Sequence, residues 1–261
     1  MSELKNIQEI EMQEKMNKIY NGEALETMDK LIAEGIVVDA IICDPPYGTT
    51  ACKWDSVIDF EQMWLRLNKL IKPNGAIVLF GSEPFSSALR MSNIKNYKYD
   101  WVWKKAPFNF LNSKHQPLRN SENISVFYKK KSLYNRQKIE KIKWKTHGKA
   151  GETTSVGKHK GLIQDVDDYA FPRTIIEHIK KEDTTKIKHP TQKPVALMEY
   201  LIKTYTNESE LVLDFTMGSG TTCLAAKNTN RNYIGIEMDE KYFSIANDRI
   251  FKKDNLFNVV A

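Results

Sequence analysis

Short apolar runs separated by amphipathic stretches set the rhythm of the chain. Val37–Cys43, "VVDAIIC", is apolar and largely β-branched and reads as a buried strand. "AIVLFGS" (76–82), "ELVLDF" (210–215) and "NYIGIE" (232–237) read the same way, and "YDWVW" (99–103) and "NISVFYK" (123–129) add two more strands. Between them, "VIDFEQMWLRLNKLI" (57–71) sets Phe60, Met63, Trp64, Leu67 and Leu70 at helical spacing, a stripe for the core. Lys72-Pro-Asn-Gly75 stops that helix. "KIYNGEALETMDKLIAEG" predicts a short strand, a turn and a helix ending at Gly35. Further helices are expected near 84–93, at 195–205, from Thr221 onward and over "MDEKYFSIANDRI". Strands alternating with helices predict an α/β fold with a mostly parallel sheet covered on both faces. A differently composed segment interrupts the pattern near 130–172, and the stretch "KKAPFNFLNSKHQPLRNSE" predicts a loop long enough to suggest function.

Two strands end in unusual chemistry. After Cys43 the chain reads "DPPYGTT": the prolines block helix-type turns and further pairing, and hold Asp44 extended. The result is a stiff elbow that projects a carboxylate and an aromatic ring from a strand tip. The second station is "LDFTMGSGTT", a strand, a glycine turn and a helix start. Gly218 and Gly220 permit a tight turn and close ligand approach, and the helix N-terminus supplies N–H groups and positive potential. Glu237 ends the following strand, about 20 residues on, where an acid commonly binds ribose hydroxyls. There is no G-x-x-x-x-G-K-[ST], which argues against a triphosphate. A ligand with adenosine and a carboxylate is the better match.

Composition narrows the class. With 261 residues, the chain is large enough for one sizeable core or two small ones. The first residues, "MSELKNIQEIEMQEKMNK", are charged throughout, and no apolar run approaches the roughly 20 residues of a membrane span, so a cytoplasmic location is expected. Three cysteines and five histidines show no disulfide or metal-ligand spacing, and no metal is expected. The net charge of +6 is concentrated: residues 129–160 carry eleven Lys and Arg against two Glu, leaving the rest slightly acidic. A basic block broken by Tyr134, Trp144 and glycines reads as a footprint for a polyanion.

"DPPY" and "DFTMGSGTT" together resemble the catalytic and cofactor motifs of the amino-methylating DNA methyltransferases. Their order, catalytic motif first and cofactor motif last around a variable region, is that of the β group of N6-adenine enzymes. "YNGEALE", "SENISVFYK" and "HPTQKPVALMEYLI" extend the resemblance over nearly the whole chain. It implies a Rossmann-like S-adenosylmethionine-dependent methyltransferase fold, circularly permuted in motif order. Residues 1–129 would form the catalytic half, 130–172 an inserted target-recognition region and 173–261 the cofactor half. Asp44, Pro45, Pro46 and Tyr47 become the catalytic motif. The implied cofactor contacts are Glu23 (where the family often has Asp), Asp44, Thr191, Lys193, Asp214, Phe215, Gly218, Ser219, Gly220, Thr221 and Glu237. Among these, Thr191, Lys193, Ser219 and Thr221 are candidates for the cofactor's carboxylate. Lys141, Lys143 and Lys145 are expected on DNA phosphates.

An exocyclic amine is a poor nucleophile because its lone pair is delocalised into the ring. Asp44 and the Pro45 carbonyl could accept from both N–H bonds and free that lone pair, with Tyr47 stacked on a flipped base. C5-cytosine chemistry needs a thiolate, found in that family within a Pro-Cys pair, and no cysteine here follows proline. The resemblance therefore implies methylation of adenine N6 in double-stranded DNA. The alternatives are N4-cytosine methylation, whose group more often has Ser in place of Asp44, and a catalytically silent DNA-binding protein. A homodimer and a cognate restriction endonuclease are the further partners the resemblance leaves open.

Overall fold

The computed structural model describes residues 15–48, 56–108, 110, 113–137, 139–140, 151–153, 157–159, 169–180 and 192–251. Strand β1 (Lys18–Asn21) leads into α1 (Ala24–Ala33), which closes as the sequence predicts. Ile36 N–H donates to Leu31 O and Gly35 N–H to Ile32 O, a Schellman close, with Gly35 at φ +73° where a side chain would be strained. The chain continues through β2 (Val38–Cys43), α2 (Phe60–Leu70), β3 (Ile71–Gly81), α3 (Phe85–Ser92), β4 (Tyr97–Phe108) and β5 (Arg119–Phe127). The Asp59 side chain caps α2 by accepting from Gln62 N–H at 2.8 Å. Four short strands follow, β6 (Ile139–Glu140), β7 (Gly151–Thr153), β8 (Gly157–His159) and β9 (Tyr169–Ala170). After β10 (Ile175–Ile176) come α4 (Val195–Tyr205), β11 (Leu211–Asp214), α5 (Thr221–Asn228), β12 (Asn232–Glu237) and α6 (Glu240–Phe251).

The eight strands of the main sheet run in the order β1-β12-β11-β2-β3-β5-β4-β10. All neighbours pair in parallel except β5, which is antiparallel to both β3 and β4. Both faces are covered. On β2, Ala40 and Ile42 point into one core and Ile41 and Cys43 into the other, and Val78 and Phe80 against Ile77 and Leu79 repeat the alternation on β3. Helices α1 to α3 fill one side, with Met28, Leu31, Met63 and Leu67 buried, while α4 to α6 fill the other with Leu201, Ile202, Ala225 and Ile250. The apolar stripe of α2 is core, and each such side chain contributes roughly 1.5–3 kcal/mol by leaving water.

Two boundaries differ from expectation. Lys72–Gly75 do not form a separate stop: β3 already starts at Ile71, paired with Val38, and the register then jumps to Ala40 opposite Ala76. The exposed Lys72, Pro73 and Asn74 occupy that irregularity, so the helix ends where pairing begins. Strands β4 and β5 extend to Phe108 and Arg119, which shortens the loop expected between them. Among the described residues no helix is long and apolar enough to cross a membrane.

Arg136–Arg173 forms a second unit. It holds two small antiparallel pairs, β6 with β9 and β7 with β8. Within it the Arg136 guanidinium stands 4.4 Å from the centre of the Phe171 ring. Lys141, Lys143 and Lys145 lie outside the described residues.

Candidate active site

The sheet changes direction of winding between β2 and β11. From β2 the chain passes to β3 on one flank, and from β11 to β12 on the other, so the connections diverge at this seam. Crevices beyond the carboxyl ends of strands at such a point are where open α/β sheets bind ligands. Both stations emerge here. Val212 and Leu213 pair with Ala40 and Ile41, bringing the tips of β2 and β11 side by side. Thr216 ties them together: its hydroxyl donates to the Asp44 carbonyl at 3.2 Å and lies 2.9 Å from Cys43 Sγ.

A cavity of about 700 Å³ opens over this seam. Its walls include the elbow from Asp44 to Tyr47, then Glu23, Lys193, Asp214, Phe215, Gly218, Ser219, Thr221 and Glu237. Gly220 instead sits behind the turn, where a Cβ would come 2.9 Å from Ala246 Cβ. Its φ of +75° and the φ of +54° at Gly218 make both glycines conformational requirements. Gly235 is a spatial one, since a Cβ there would lie 2.3 Å from Met217 Sδ. Thr191 lies outside the described residues.

On the β12 side of the cavity, Glu237 braces the glycine turn. Its Oε2 accepts from Gly218 N–H and its Oε1 from Asp239 N–H, both at 2.8 Å. Burial raises its pKa, and these N–H groups offset part of that rise. Asp214 is more deeply buried and its carboxyl is pushed up to about 6, chiefly by desolvation. Thr222 Oγ1 (2.5 Å) and Thr216 N–H (3.2 Å) donate to it and limit the shift. Glu23 caps α1 by accepting from Glu26 N–H at 2.9 Å, which fixes it on the cavity wall. The hydroxyls of Ser219 and Thr221 both accept from Arg249, at 2.7 and 3.2 Å, and Ser219 donates to Gln192 at 3.1 Å.

The elbow side of the cavity is an ionic cluster. Tyr47 Oη donates to Asp44 Oδ1, and the Lys193 ammonium donates to Oδ2. Lys193 is 7% exposed and Asp44 20%, so the pair is largely but not wholly buried. Burial raises the Asp44 carboxyl despite Lys193, which holds it part of the way back. Burial works against the Lys193 cation, but Asp44 and Glu122 outweigh it and its pKa rises. The Tyr47 ring is packed on Phe85 with centroids 4.9 Å apart. The sequence suggests Lys193 for the cofactor carboxylate, while the structure brings it to Asp44. Sequence reasoning misses Gln192, Lys105, Arg119 and Glu122, which also line the cavity. Glu122 lies inside the motif "SENISVFYK", but an alternating strand gives no reason to single it out.

The DNA methylase family, which covers N6 and N4 amino-methyltransferases, matches residues 38–248. The chain is 29% identical over 268 residues to the Type II methyltransferase M2.LlaDCHI of Lactococcus lactis subsp. cremoris, covering 92% of this chain and 91% of that one. It is 27% identical to M2.DpnII of Streptococcus pneumoniae over 260 residues, with 89% and 88% covered. Among solved structures, the M1.HpyAVI–SAM complex aligns with a TM-score of 0.65 and 32% identity, over 90% of this chain and 98% of that one. The PvuII cytosine-N4-specific DNA methyltransferase shares the fold, at a TM-score of 0.62 and 18% identity, with 94% and 88% covered.

The residues present fit S-adenosylmethionine. A carboxylate at a strand end, a left-handed glycine turn and a helix N-terminus share one cavity wall, the donor and acceptor set an adenosine with a charged tail requires. The chain belongs to the DNA methylase family of S-adenosylmethionine-dependent amino-methyltransferases.

Proposed function

We propose that this DNA methyltransferase modifies the N6 amino group of adenine in double-stranded DNA, by direct in-line attack on a base turned out of the helix. The observation that carries the reading is the elbow Asp44-Pro45-Pro46-Tyr47 opening into the same cavity as Glu237 and the Gly218 turn. The cofactor, when bound, supplies an electrophilic methyl on a sulfonium. Glu237 would hold the ribose hydroxyls, with Glu23 on the adenine side and Asp214, Phe215, Ser219 and Thr221 shaping the rest of the cofactor wall.

Asp44, as a carboxylate, and the Pro45 carbonyl are both acceptors, matched to an amino group that donates two hydrogens. Accepting both draws the nitrogen lone pair out of conjugation and points it at the methyl. The Lys193 ammonium keeps the carboxylate form of Asp44 available against the cost of burial. Tyr47, its hydroxyl tied to Asp44 and its ring to Phe85, would offer a fixed stacking face to the base. No covalent enzyme intermediate is needed: the N–CH3 bond would form as the sulfur leaves as a neutral thioether, and the nitrogen's surplus proton would pass to the Asp44 carboxylate and on to solvent.

Adenine is assigned over cytosine because the motif begins with Asp rather than Ser. The unit Arg136–Arg173, which overlaps the basic block, is assigned to target recognition. The Type II relatives favour a cognate restriction endonuclease as the biological counterpart. Digesting methylated DNA to nucleosides and weighing them should give N6-methyl-2′-deoxyadenosine as the new product. N4-methylcytosine would overturn the substrate assignment and leave the fold and cofactor standing.

A further inference from the structure

Lys193 has two carboxylates within reach and hydrogen-bonds to one of them. Its ammonium donates to Asp44 Oδ2, while Glu122 Oε2 lies 3.4 Å away. Glu122 stands on β5 and its other oxygen, Oε1, pairs with Lys105 on the neighbouring β4. Oε2 is buried and accepts no hydrogen bond among the described residues. A buried carboxylate oxygen without a hydrogen bond is costly and calls for an explanation. Here it faces the Lys193 ammonium at ion-pair distance, while that ammonium's hydrogen bond goes to Asp44.

The following rests on the reading that Asp44 accepts the target amino group. That group must approach a carboxylate whose oxygens already receive Tyr47 and Lys193. An ammonium on Oδ2 competes with an incoming N–H donor for the same acceptor. Displacing it from Asp44 leaves the buried cation dependent on its second carboxylate, Glu122, because a buried charge without a partner is prohibitive. We propose that Glu122 is a positioning residue that takes the Lys193 ammonium onto Oε2 as the target amino group engages Asp44. The shift is under about 1 Å, from 3.4 Å to an ordinary charge-assisted hydrogen bond near 2.8 Å. It changes no net charge, because the cluster holds two carboxylates, Asp44 and Glu122, and two ammonium groups, Lys193 and Lys105.

The test is a double-mutant cycle on the full chain, read as single-turnover methyl transfer at saturating DNA and S-adenosylmethionine. Glu122→Gln removes the charged seat and should slow transfer at least tenfold, with cofactor Kd within threefold. In a Lys193→Gln background, where there is no ammonium to relocate, the same substitution should cost less than threefold. Equal losses in both backgrounds, or a single-variant rate within twofold of the parent, would overturn the proposal. The underlying reading fails differently: Asp44→Asn would then keep its activity. Should a variant not fold, a crystal structure of the unmutated protein with a cognate duplex and S-adenosylhomocysteine decides. Lys193 Nζ nearer Glu122 Oε2 than Asp44 Oδ2 supports the transfer, and Lys193 still seated on Asp44 refutes it.

Discussion

Replacing Glu237 by alanine separates cofactor binding from the chemistry at Asp44. Glu237 is 8% exposed at the end of β12, so a ribose hydroxyl donating to it forms a hydrogen bond shielded from water. Hydrogen bonds to charged groups contribute roughly 1.5–3 kcal/mol each, and two hydroxyls set the upper bound. The gain per bond is reduced here because Gly218 N–H and Asp239 N–H already share the carboxylate, each at 2.8 Å. We therefore expect Glu237→Ala to weaken S-adenosylmethionine binding by roughly 1–3 kcal/mol, about 5- to 150-fold in Kd. Isothermal calorimetry measures this directly. Glu237→Gln, which keeps one carbonyl oxygen, should fall between the parent and the alanine variant. The alanine variant also strips the brace from the glycine turn, so its melting temperature without ligand should drop as well. A folded Glu237→Ala protein with Kd within twofold of the parent would refute the assignment of Glu237 to the ribose.

Three further outcomes are expected. Asp44→Ala should abolish methyl transfer yet leave cofactor affinity within a few-fold, and near-normal turnover would remove Asp44 from the mechanism. Asp214 should leave a pH signature: its folded pKa, about 6 against 3.8, means the folded state holds an extra proton between those values. Its stabilising share is complete below pH 3.8 and is lost as pH rises through about 6, up to about 3 kcal/mol. Urea midpoints of the ligand-free parent should therefore fall relative to Asp214→Asn across that window, and parallel curves would contradict the shift. Neutralising Lys141, Lys143 and Lys145 should flatten the salt dependence of DNA binding, by about 0.9 in log–log slope for each phosphate no longer neutralised. An unaltered slope returns these lysines to solvent.

The strands and the two stations were legible because each is local. "VVDAIIC" and "NYIGIE" are strand-forming runs that end at the two acids of the proposed site, and Gly35 and Gly220 mark φ values a side chain resists. Three features were not. The reversal of β5 leaves no trace in "NISVFYK", because inward and outward alternation is the same in either direction. β10, at Ile175–Ile176, is too short to show a period. Lys193 finds Asp44 across 149 residues of chain, and Glu122 finds Lys193 through a β5 register fixed by β3 and β4. Such pairings are set by topology, which spacing along one segment cannot encode.

The sheet order also bears on how the protein is born. β1 and β2 are consecutive strands, yet β12 and β11 stand between them, and these are the last strands among the described residues. Among the described residues β1 pairs with β12 alone, so it has no neighbour in the sheet until β12 has been made. During translation the Asp44 elbow would emerge early, beside an open β2 edge that only β11 later covers. Closing so distant a pairing carries a large loop entropy and slows folding. A nascent chain stalled before residue 211 can hold neither the glycine turn nor Glu237. Cofactor binding thereby waits on the synthesis of β11 and β12: until they are made, the β2 edge that β11 covers stays open to chaperones or proteases.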